Sequence, residues 1–211
     1  MKAWDEYASR AEHWSDEAYA DADTYLARRA ELVRTLGPRL EPSDTVLDLA
    51  CGDGRLADFL PKQRYRGVDA SPQMVSAARS RGRDVVNADL NEYEPSEPVQ
   101  ATLIFRAVYY AHNRRALFRR IARYTEKKLV FDLNPRQYRL QDVRGDLVVA
   151  GFDRLVTRPF FVPQTRALPA PLIAVLRALE RSGPLAQLLL RFRFTLLCAA
   201  SRSDATGRTG M

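Results

Sequence analysis

The sequence predicts an α/β fold in which a mostly parallel sheet carries helices on both faces. Short apolar runs that suit buried strands alternate along the chain with stretches of helical periodicity. The first apolar run, at 46–49, passes through a glycine-containing turn at 50–54 into a helical pattern, as the first strand of such a sheet would. Nothing in the composition of the 211 residues marks a linker. We therefore predict one domain over residues 1–200, followed by a small, polar, disordered tail at 201–211.

The glycine-containing turn predicts a site for a polar cofactor. Gly52 and Gly54 let the backbone approach a ligand with no Cβ in the way, and the N-terminus of the following helix would point its N–H groups at the loop. A dinucleotide fingerprint in this register needs glycine at 50 and 55, where the chain has Ala50 and Arg55. A phosphate loop needs a Gly-Lys-Ser/Thr ending, which is absent. The remaining pattern is Asp-x-Ala-x-Gly-x-Gly, beginning at Asp48.

Carboxylates follow the next two predicted strands. The strand at 65–68 ends in Asp69, which stands 21 residues after Asp48. An acid at this distance is placed to accept hydrogen bonds from both hydroxyls of a ribose. The third strand, at 84–88, is followed by Asp89.

The glycine turn and the two acids, in this order and at these intervals, resemble the class I S-adenosylmethionine-dependent methyltransferases. The resemblance covers roughly residues 40–135, with Ala50 where the family's first glycine usually stands. It implies a Rossmann-like, doubly wound, mostly parallel seven-stranded sheet, S-adenosylmethionine as cofactor and methyl transfer as activity. Family members usually carry an acid near the start of the fourth strand, and the strand at 101–105 has none. The cofactor-binding residues that the resemblance implies are Asp48, Ala50, Cys51, Gly52, Gly54, Asp69, Ala70, Met74, Asp89, Leu90 and Arg106.

The resemblance also implies that a helical N-terminal segment closes over cofactor and acceptor. Residues 1–40 combine aromatic side chains with helical pattern and show no strand-like alternation. We expect this segment to form a lid, with Tyr7, His13 and Trp14 as candidate lid residues. The alternative is that these side chains pack on the edge of the sheet.

Candidate catalytic residues follow the fourth and fifth strands, because the loops at the carboxyl ends of parallel strands line the ligand crevice. Tyr109 and His112 lie between the fourth strand and the next helix, and His112 stands where many family members have a histidine. We expect contact with the acceptor there, or removal of its proton. Asp132 ends the fifth strand and is a candidate for orienting a nucleophile. Helix capping and packing, or a structural turn, are the alternatives for these side chains.

A helical insert is predicted at 163–191, between a sixth strand at 155–162 and a last strand at 192–200. Its helices are expected at 172–181 and 185–190, which makes it too long for a simple hairpin. We expect the insert to cover the crevice and the acceptor, although its leucines could equally pack on the sheet. The side chains expected to line an apolar pocket are Phe160, Phe161, Leu172, Leu176, Leu188 and Leu189.

The charge distribution leaves the acceptor open. The formal net charge is +7, and residues 106–139 hold ten bases against two acids. This basic strip could indicate RNA, but we expect it to be the solvated outer face of a helix. The insert combines leucines with arginines, which favours a small-molecule or lipid-like acceptor and peripheral contact with an anionic membrane. DNA is not expected as a partner. The alternatives are an RNA methyltransferase and a non-catalytic scaffold that binds S-adenosylmethionine.

The cysteines and the N-terminus predict a cytoplasmic protein. Cys51 and Cys198 stand 147 positions apart and offer neither a disulfide framework nor metal-ligand spacing, so no metal is expected. The acidic, tryptophan-containing N-terminus does not resemble a signal peptide, and no apolar run has the length of a membrane span.

Overall fold

A seven-stranded sheet forms the centre of the computed structural model, which describes residues 11, 14–189 and 195–203. The strand order is β3-β2-β1-β4-β5-β7-β6, and every pair is parallel except those that β7 makes with β5 and β6. The predicted α/β fold with a mostly parallel, seven-stranded, Rossmann-like sheet is thereby confirmed. The strands are β1 (Thr45–Leu49), β2 (Arg64–Asp69), β3 (Val85–Asn87), β4 (Val99–Ile104), β5 (Thr125–Leu133), β6 (Arg154–Phe160) and β7 (Thr195–Ser201).

Helices cover both faces of this sheet. Within the part of the chain that the structure describes they are α1 (Trp14–Ala18), α2 (Ala22–Thr35), α3 (Pro72–Ser80), α4 (Arg114–Tyr124), α5 (Leu140–Ala150), α6 (Ala170–Leu179) and α7 (Pro184–Leu189). None of the helices in this part is long and apolar enough to cross a membrane.

Alternation along the strands divides the core into two layers. Leu129 and Phe131 of β5 pack in the layer that contains side chains of α4 and α5, whereas Val130 packs in the layer that contains α2. Successive side chains of a strand point to opposite faces, so a strand that is buried on both sides needs apolar residues throughout. The order of the strands reverses beside β1, which lies between β2 and β4. Such a switch point opens a crevice at the carboxyl ends of the strands.

The helix after the glycine turn differs from the expected α-helical pattern. Arg55–Phe59 forms a 3₁₀-helix of five residues, which begins after Gly54 in the left-handed conformation without a side-chain cap. Helix α2 packs against this short helix on the same face of the sheet. The chain then returns to β2 at Arg64, one residue before the predicted start of that strand.

The C-terminal segments also differ from their predicted positions. Helix α6 begins at Ala170, two residues before the predicted start, because Pro171 fits the first turn of a helix. Strand β7 continues to Ser201, so the sheet extends past the predicted end of the domain at residue 200. Residues 190–194 and 204–211 lie outside the described part of the chain.

The described part of the insert, residues 163–189, packs beside α2, and none of its side chains lines the crevice. The Glu180 carboxylate accepts hydrogen bonds from Arg28 Nε at 3.1 Å and from the Phe161 backbone N–H at 3.0 Å. Phe160 and Phe161 are fully buried, whereas Leu172 and Leu188 are exposed to solvent. None of Phe160, Phe161, Leu172, Leu176, Leu188 and Leu189 lines the crevice at the carboxyl ends of β1, β2 and β4, so these side chains do not form the predicted pocket there. That the insert covers the acceptor stays a prediction.

Candidate functional site

A cavity of about 490 Å³ opens at the carboxyl ends of β1, β2 and β4. This volume lies within the range of pockets that bind small molecules. Its apolar wall includes Trp14, Tyr19, Leu26, Met74, Leu90 and Phe105, and its polar wall includes Arg29, Asp48, Asp69, Asp89, Asn91, Arg106 and His112. Most of the residues that the sequence assigned to a cofactor meet here.

The glycine turn bends around the end of β2. Ala50 and Cys51 both donate backbone N–H groups to the Val68 carbonyl, at 2.7 and 3.0 Å. Gly52 has a φ of 58°, in the left-handed region that favours glycine. A Cβ at Gly52 would lie 3.3 Å from Trp14 Cδ1, so the indole rests directly against the bare backbone of the turn.

Gly54 serves the turn and not the cavity. It has a φ of 67°, and a Cβ there would contact Arg83 and Ala78 at 3.1 and 3.3 Å. The structure does not place Gly54 among the residues that line the cavity, in contrast to the prediction. Its part in the site is conformational, because a left-handed residue is needed before the 3₁₀-helix.

Asp69 fixes the turn to the start of α3. One carboxylate oxygen accepts from the Gly52 N–H at 2.8 Å and the other from the Ser71 N–H at 2.9 Å. Burial raises the pKa of this carboxyl above its ordinary value, and the two backbone donors partly offset the rise. Each carboxylate oxygen retains a second lone-pair direction for a ligand.

Asp48 places a second acid at the floor of the cavity. It is buried, and the Tyr65 hydroxyl donates to it at 2.8 Å. Burial raises the pKa of this carboxyl to about 7, although the bond from Tyr65 acts in the opposite direction. The charge of Asp48 therefore changes close to neutral pH.

Asn91 organises the corner that holds Asp89 and His112. Asp89 accepts hydrogen bonds from the backbone N–H and the side-chain amide of Asn91, at 2.7 and 2.8 Å. The side-chain oxygen of Asn91, Oδ1, accepts a hydrogen bond from the His112 backbone N–H at 3.0 Å. His112 and Tyr109 lie at the mouth of the cavity, each exposed to solvent. The sequence analysis did not identify Asn91, although it stands two residues after Asp89.

Arg106 places its guanidinium in the cavity wall, where the side chain is hydrogen-bonded to Tyr19 but one nitrogen has no partner among the described residues. Its guanidinium carbon lies 5.8 Å from the ring centres of both Trp14 and Tyr19. Its Nη1 atom is buried and has no hydrogen-bond partner among the described residues. A buried guanidinium N–H without an acceptor is costly, so this atom marks a position for an oxygen of a bound ligand.

Asp132 lies beneath the cavity and holds two arginines. Its carboxylate accepts from Arg29 Nη2 and from the Arg106 backbone N–H, both at 2.7 Å. Among the residues described it does not line the cavity, whereas Arg29, which is 2% exposed, does. Both of its oxygens hold residues that line the cavity, so Asp132 supports the cavity wall through Arg29 and Arg106, and its predicted part in orienting a nucleophile stays a prediction.

Helix α1 covers the glycine turn. The Ser15 hydroxyl donates to Asp53 at 2.7 Å, and Arg55 pairs with Asp16 and Asp23. Trp14 lines the cavity, while Tyr7 and His13 lie outside the described residues. Helix α2 belongs to the buried core, so within the predicted 1–40 lid the described cover consists of α1 and the residues next to it.

The site can bind a ligand of mixed charge. The three acids Asp48, Asp69 and Asp89 suit hydroxyl, amine and cationic groups, whereas Arg106 suits an anion. The part of the chain that the structure describes contains no group of three or more His, Cys, Asp or Glu side chains that could hold a metal ion.

Comparisons with known proteins agree with this geometry. A family model described as a methyltransferase domain matches residues 46–128. Trans-aconitate 2-methyltransferase of Mycobacterium tuberculosis (strain ATCC 25177 / H37Ra) is 34% identical over 101 residues, which cover 43% of this chain and 38% of the relative. The similarity to this relative therefore spans less than half of its length.

Solved structures share the fold at low sequence identity. An S-adenosylmethionine-dependent methyltransferase from Thermotoga maritima matches with a TM-score of 0.64 and 13% identity, over 94% of this chain and 97% of that one. The magnesium protoporphyrin IX methyltransferase of Synechocystis PCC 6803, solved with bound S-adenosylmethionine, matches with a TM-score of 0.58 and 16% identity, over 96% and 86% of the two chains.

Proposed function

We propose that this chain, which belongs to the class I S-adenosylmethionine-dependent methyltransferases, methylates a small-molecule acceptor that carries an anionic group. The observation that carries the proposal is the buried, unpartnered Nη1 atom of Arg106 in the wall of the cavity. The name of the Mycobacterium tuberculosis relative specifies trans-aconitate, an acid anion, which has the charge that Arg106 would bind.

The cavity fits S-adenosylmethionine. Asp69 would accept the ribose hydroxyls, Asp89 would face the adenine amine, and Met74 and Leu90 offer apolar surface to the base. The bare backbone of Gly52 leaves the turn open where a Cβ would press on Trp14. Ala50, Cys51, Gly52 and Ala70 would contact the cofactor through the turn, and Asp48 would contribute negative charge.

The chain's own residues would position the acceptor and shield the reaction. Bound S-adenosylmethionine supplies a methyl group on a positively charged sulfur, which makes that methyl electrophilic. Arg106 would hold the anionic group of the acceptor, and α1 with Trp14 and Tyr19 would exclude water. His112, at the mouth, is placed to accept a proton from an acceptor whose nucleophile carries one. A carboxylate nucleophile would need no such base.

The lipid-like acceptor and RNA receive less support. Among the described residues the insert contributes no side chain to the cavity, so a long apolar acceptor would lack its expected cover. Among the ten bases of the basic strip, three arginines of α4 are paired: Arg114 and Arg115 pair with Asp146, and Arg123 pairs with Glu94. Arginines held in this way are less available to phosphates of RNA. A scaffold without activity remains the outcome if no acceptor is methylated.

Arg106→Met should separate acceptor binding from cofactor binding. Formation of S-adenosylhomocysteine would first be measured with a panel of small carboxylates and phosphates, with the matched amides as neutral controls. The variant should lose about 10- to 100-fold in kcat/KM for the anionic acceptors, because a hydrogen bond to a charged group contributes roughly 1.5–3 kcal/mol. Its affinity for S-adenosylhomocysteine, measured by calorimetry, should change less than about threefold.

Asp69→Ala supplies the opposite pattern. It should lower the affinity for S-adenosylhomocysteine by about 10- to 100-fold, because the paired contact between the carboxylate and the ribose hydroxyls is charge-assisted. The contrary result is that Arg106→Met lowers the affinity for the cofactor as strongly as Asp69→Ala does. Arg106 would then hold the cofactor, as the sequence predicted, and the argument for an anionic acceptor would fail. Preference for a nicotinamide dinucleotide would overturn the cofactor assignment.

Cofactor affinity should fall with acidification through neutral pH. The ionised form of Asp48 attracts the cationic cofactor, and its pKa of about 7 means that the carboxyl is mostly ionised at pH 8 and mostly protonated at pH 6. If only the ionised form binds well, the dissociation constant should rise about tenfold from pH 8 to pH 6. Asp48→Asn should bind more weakly at pH 8 and lose this slope. An equal slope in wild type and variant would assign the pH dependence to another group.

A further inference from the structure

Helices α6 and α7 expose an unusual amount of apolar surface. Every residue of α6 except Arg177 is apolar, yet Ile173 is its only buried side chain. Leu172 and Val175 of α6 are 44% and 53% exposed, and Leu185 and Leu188 of α7 are 46% and 50% exposed. Single exposed leucines are ordinary, but four large exposed apolar side chains within seventeen residues of one insert are unusual. We call Leu172, Val175, Leu185 and Leu188 the insert face.

The inner side of the insert is anchored, so the insert face has a fixed outward direction. Glu180 is buried and binds Arg28 and the Phe161 backbone. Ile173, Arg177 and Glu180 follow one another at helical spacing on the side that faces α2, where Arg177 lies 3.9 Å from Glu31. Leu172 and Val175 lie about 100° or more away from Ile173 around the helix and therefore point outward.

The charges around the insert face are positive. Residues 163–189 contain Arg166, Arg177 and Arg181 and one acid, Glu180. Arg166 and Arg181 are exposed, whereas the Glu180 carboxylate is buried and paired. The exposed surface of the insert therefore combines apolar side chains with the arginines Arg166 and Arg181, of which Arg181 also lies within electrostatic reach of Glu31 on α2.

We propose that the insert face binds the surface of an anionic lipid membrane. Its leucine and valine side chains would enter the headgroup region, and Arg166 and Arg181 would contact lipid phosphates. The exposed arginines favour this occupant over a purely apolar one, because lipid phosphates supply the negative charge that Arg166 and Arg181 would bind. The proposal concerns a surface beside the cavity and does not depend on the acceptor.

Vesicle binding by the full chain tests the proposal. The protein should sediment with vesicles that contain phosphatidylglycerol and should bind little to pure phosphatidylcholine vesicles, and binding should fall as salt is raised. Val175→Asp and Leu188→Asp should each weaken binding on the order of tenfold, because each removes apolar contact and adds a repelled charge. Val148→Asp on α5 is the matched control, since Val148 is 55% exposed and lies away from the insert. It should leave vesicle binding unchanged.

Three results would overturn the proposal. One is equal sedimentation with anionic and neutral vesicles, or with neither. Another is an equal loss of vesicle binding in Val148→Asp and Val175→Asp, when circular dichroism shows that both variants are folded. The third is a concentration-dependent dimer in solution that Val175→Asp dissociates, which would assign the insert face to a second copy.

Discussion

Gly52→Val is expected to abolish cofactor binding while the protein remains folded. Gly52 has a φ of 58°, which a β-branched residue adopts only under strain, and a Cβ there would lie 3.3 Å from Trp14. Its N–H also donates to Asp69, so a shift of the turn would displace the carboxylate proposed to hold the ribose. Loss of the charge-assisted contact from Asp69 costs roughly 1.5–3 kcal/mol and the valine side chain would itself enter the space beside the turn, so affinity for S-adenosylhomocysteine should fall at least ~100-fold in calorimetry.

Gly82→Val is the matched control for this substitution. Gly82 has a φ of 73°, and nothing lies within 4 Å of the position its Cβ would occupy. Both variants should therefore melt at a lower temperature than wild type, because each holds a valine in the left-handed conformation. Only Gly52→Val should lose affinity for the cofactor. If Gly52→Val bound S-adenosylhomocysteine normally, the cofactor would have to lie away from the turn.

The sequence predicted the parts of the site that are local in the chain. The glycine turn, Asp69 and Asp89 each follow directly on a strand, and parallel strands bring their carboxyl ends to one edge. Because strand and functional residue are neighbours in sequence, the order of the motifs was enough to assign these acids to one cofactor site. Gly54 was assigned to the cavity by the same motif, but motif spacing does not show which way a residue in a tight turn faces.

The remaining features depend on contacts between distant segments. Arg29 lies within an amphipathic helix and belongs to no motif, and its partner Asp132 is 103 residues away. The composition of the insert was the basis for predicting that it covers the crevice. Composition indicates that a segment has apolar surface, but it does not indicate where that surface lies in the fold. Its position depends on Arg28 and Glu180, which are 152 residues apart. No pattern within a single segment of one sequence carries that information.

Asp132→Ala should destabilise the protein strongly. The change would leave the Arg29 guanidinium, which is 2% exposed, without its carboxylate. It would also leave the Arg106 backbone N–H without its acceptor. Removing one partner of a buried ion pair costs about 3–5 kcal/mol, because the other charge stays desolvated. Chemical denaturation should report a loss of this size in the free energy of unfolding.

Two further variants show whether Asp132 stabilises the fold or takes part in methyl transfer. Asp132→Leu combined with Arg29→Met should recover most of the lost stability, because an apolar pair replaces the ion pair without leaving a buried charge. Asp132→Asn keeps an acceptor oxygen for the Arg106 N–H, so its methyl transfer per folded molecule should stay within about threefold of wild type. A loss near 100-fold in kcat with stability unchanged would show that Asp132 acts on the acceptor after all. A stable Asp132→Ala variant would mean that Arg29 finds another partner. The ion pair between Arg29 of α2 and Asp132 of β5 would then not be needed for stability.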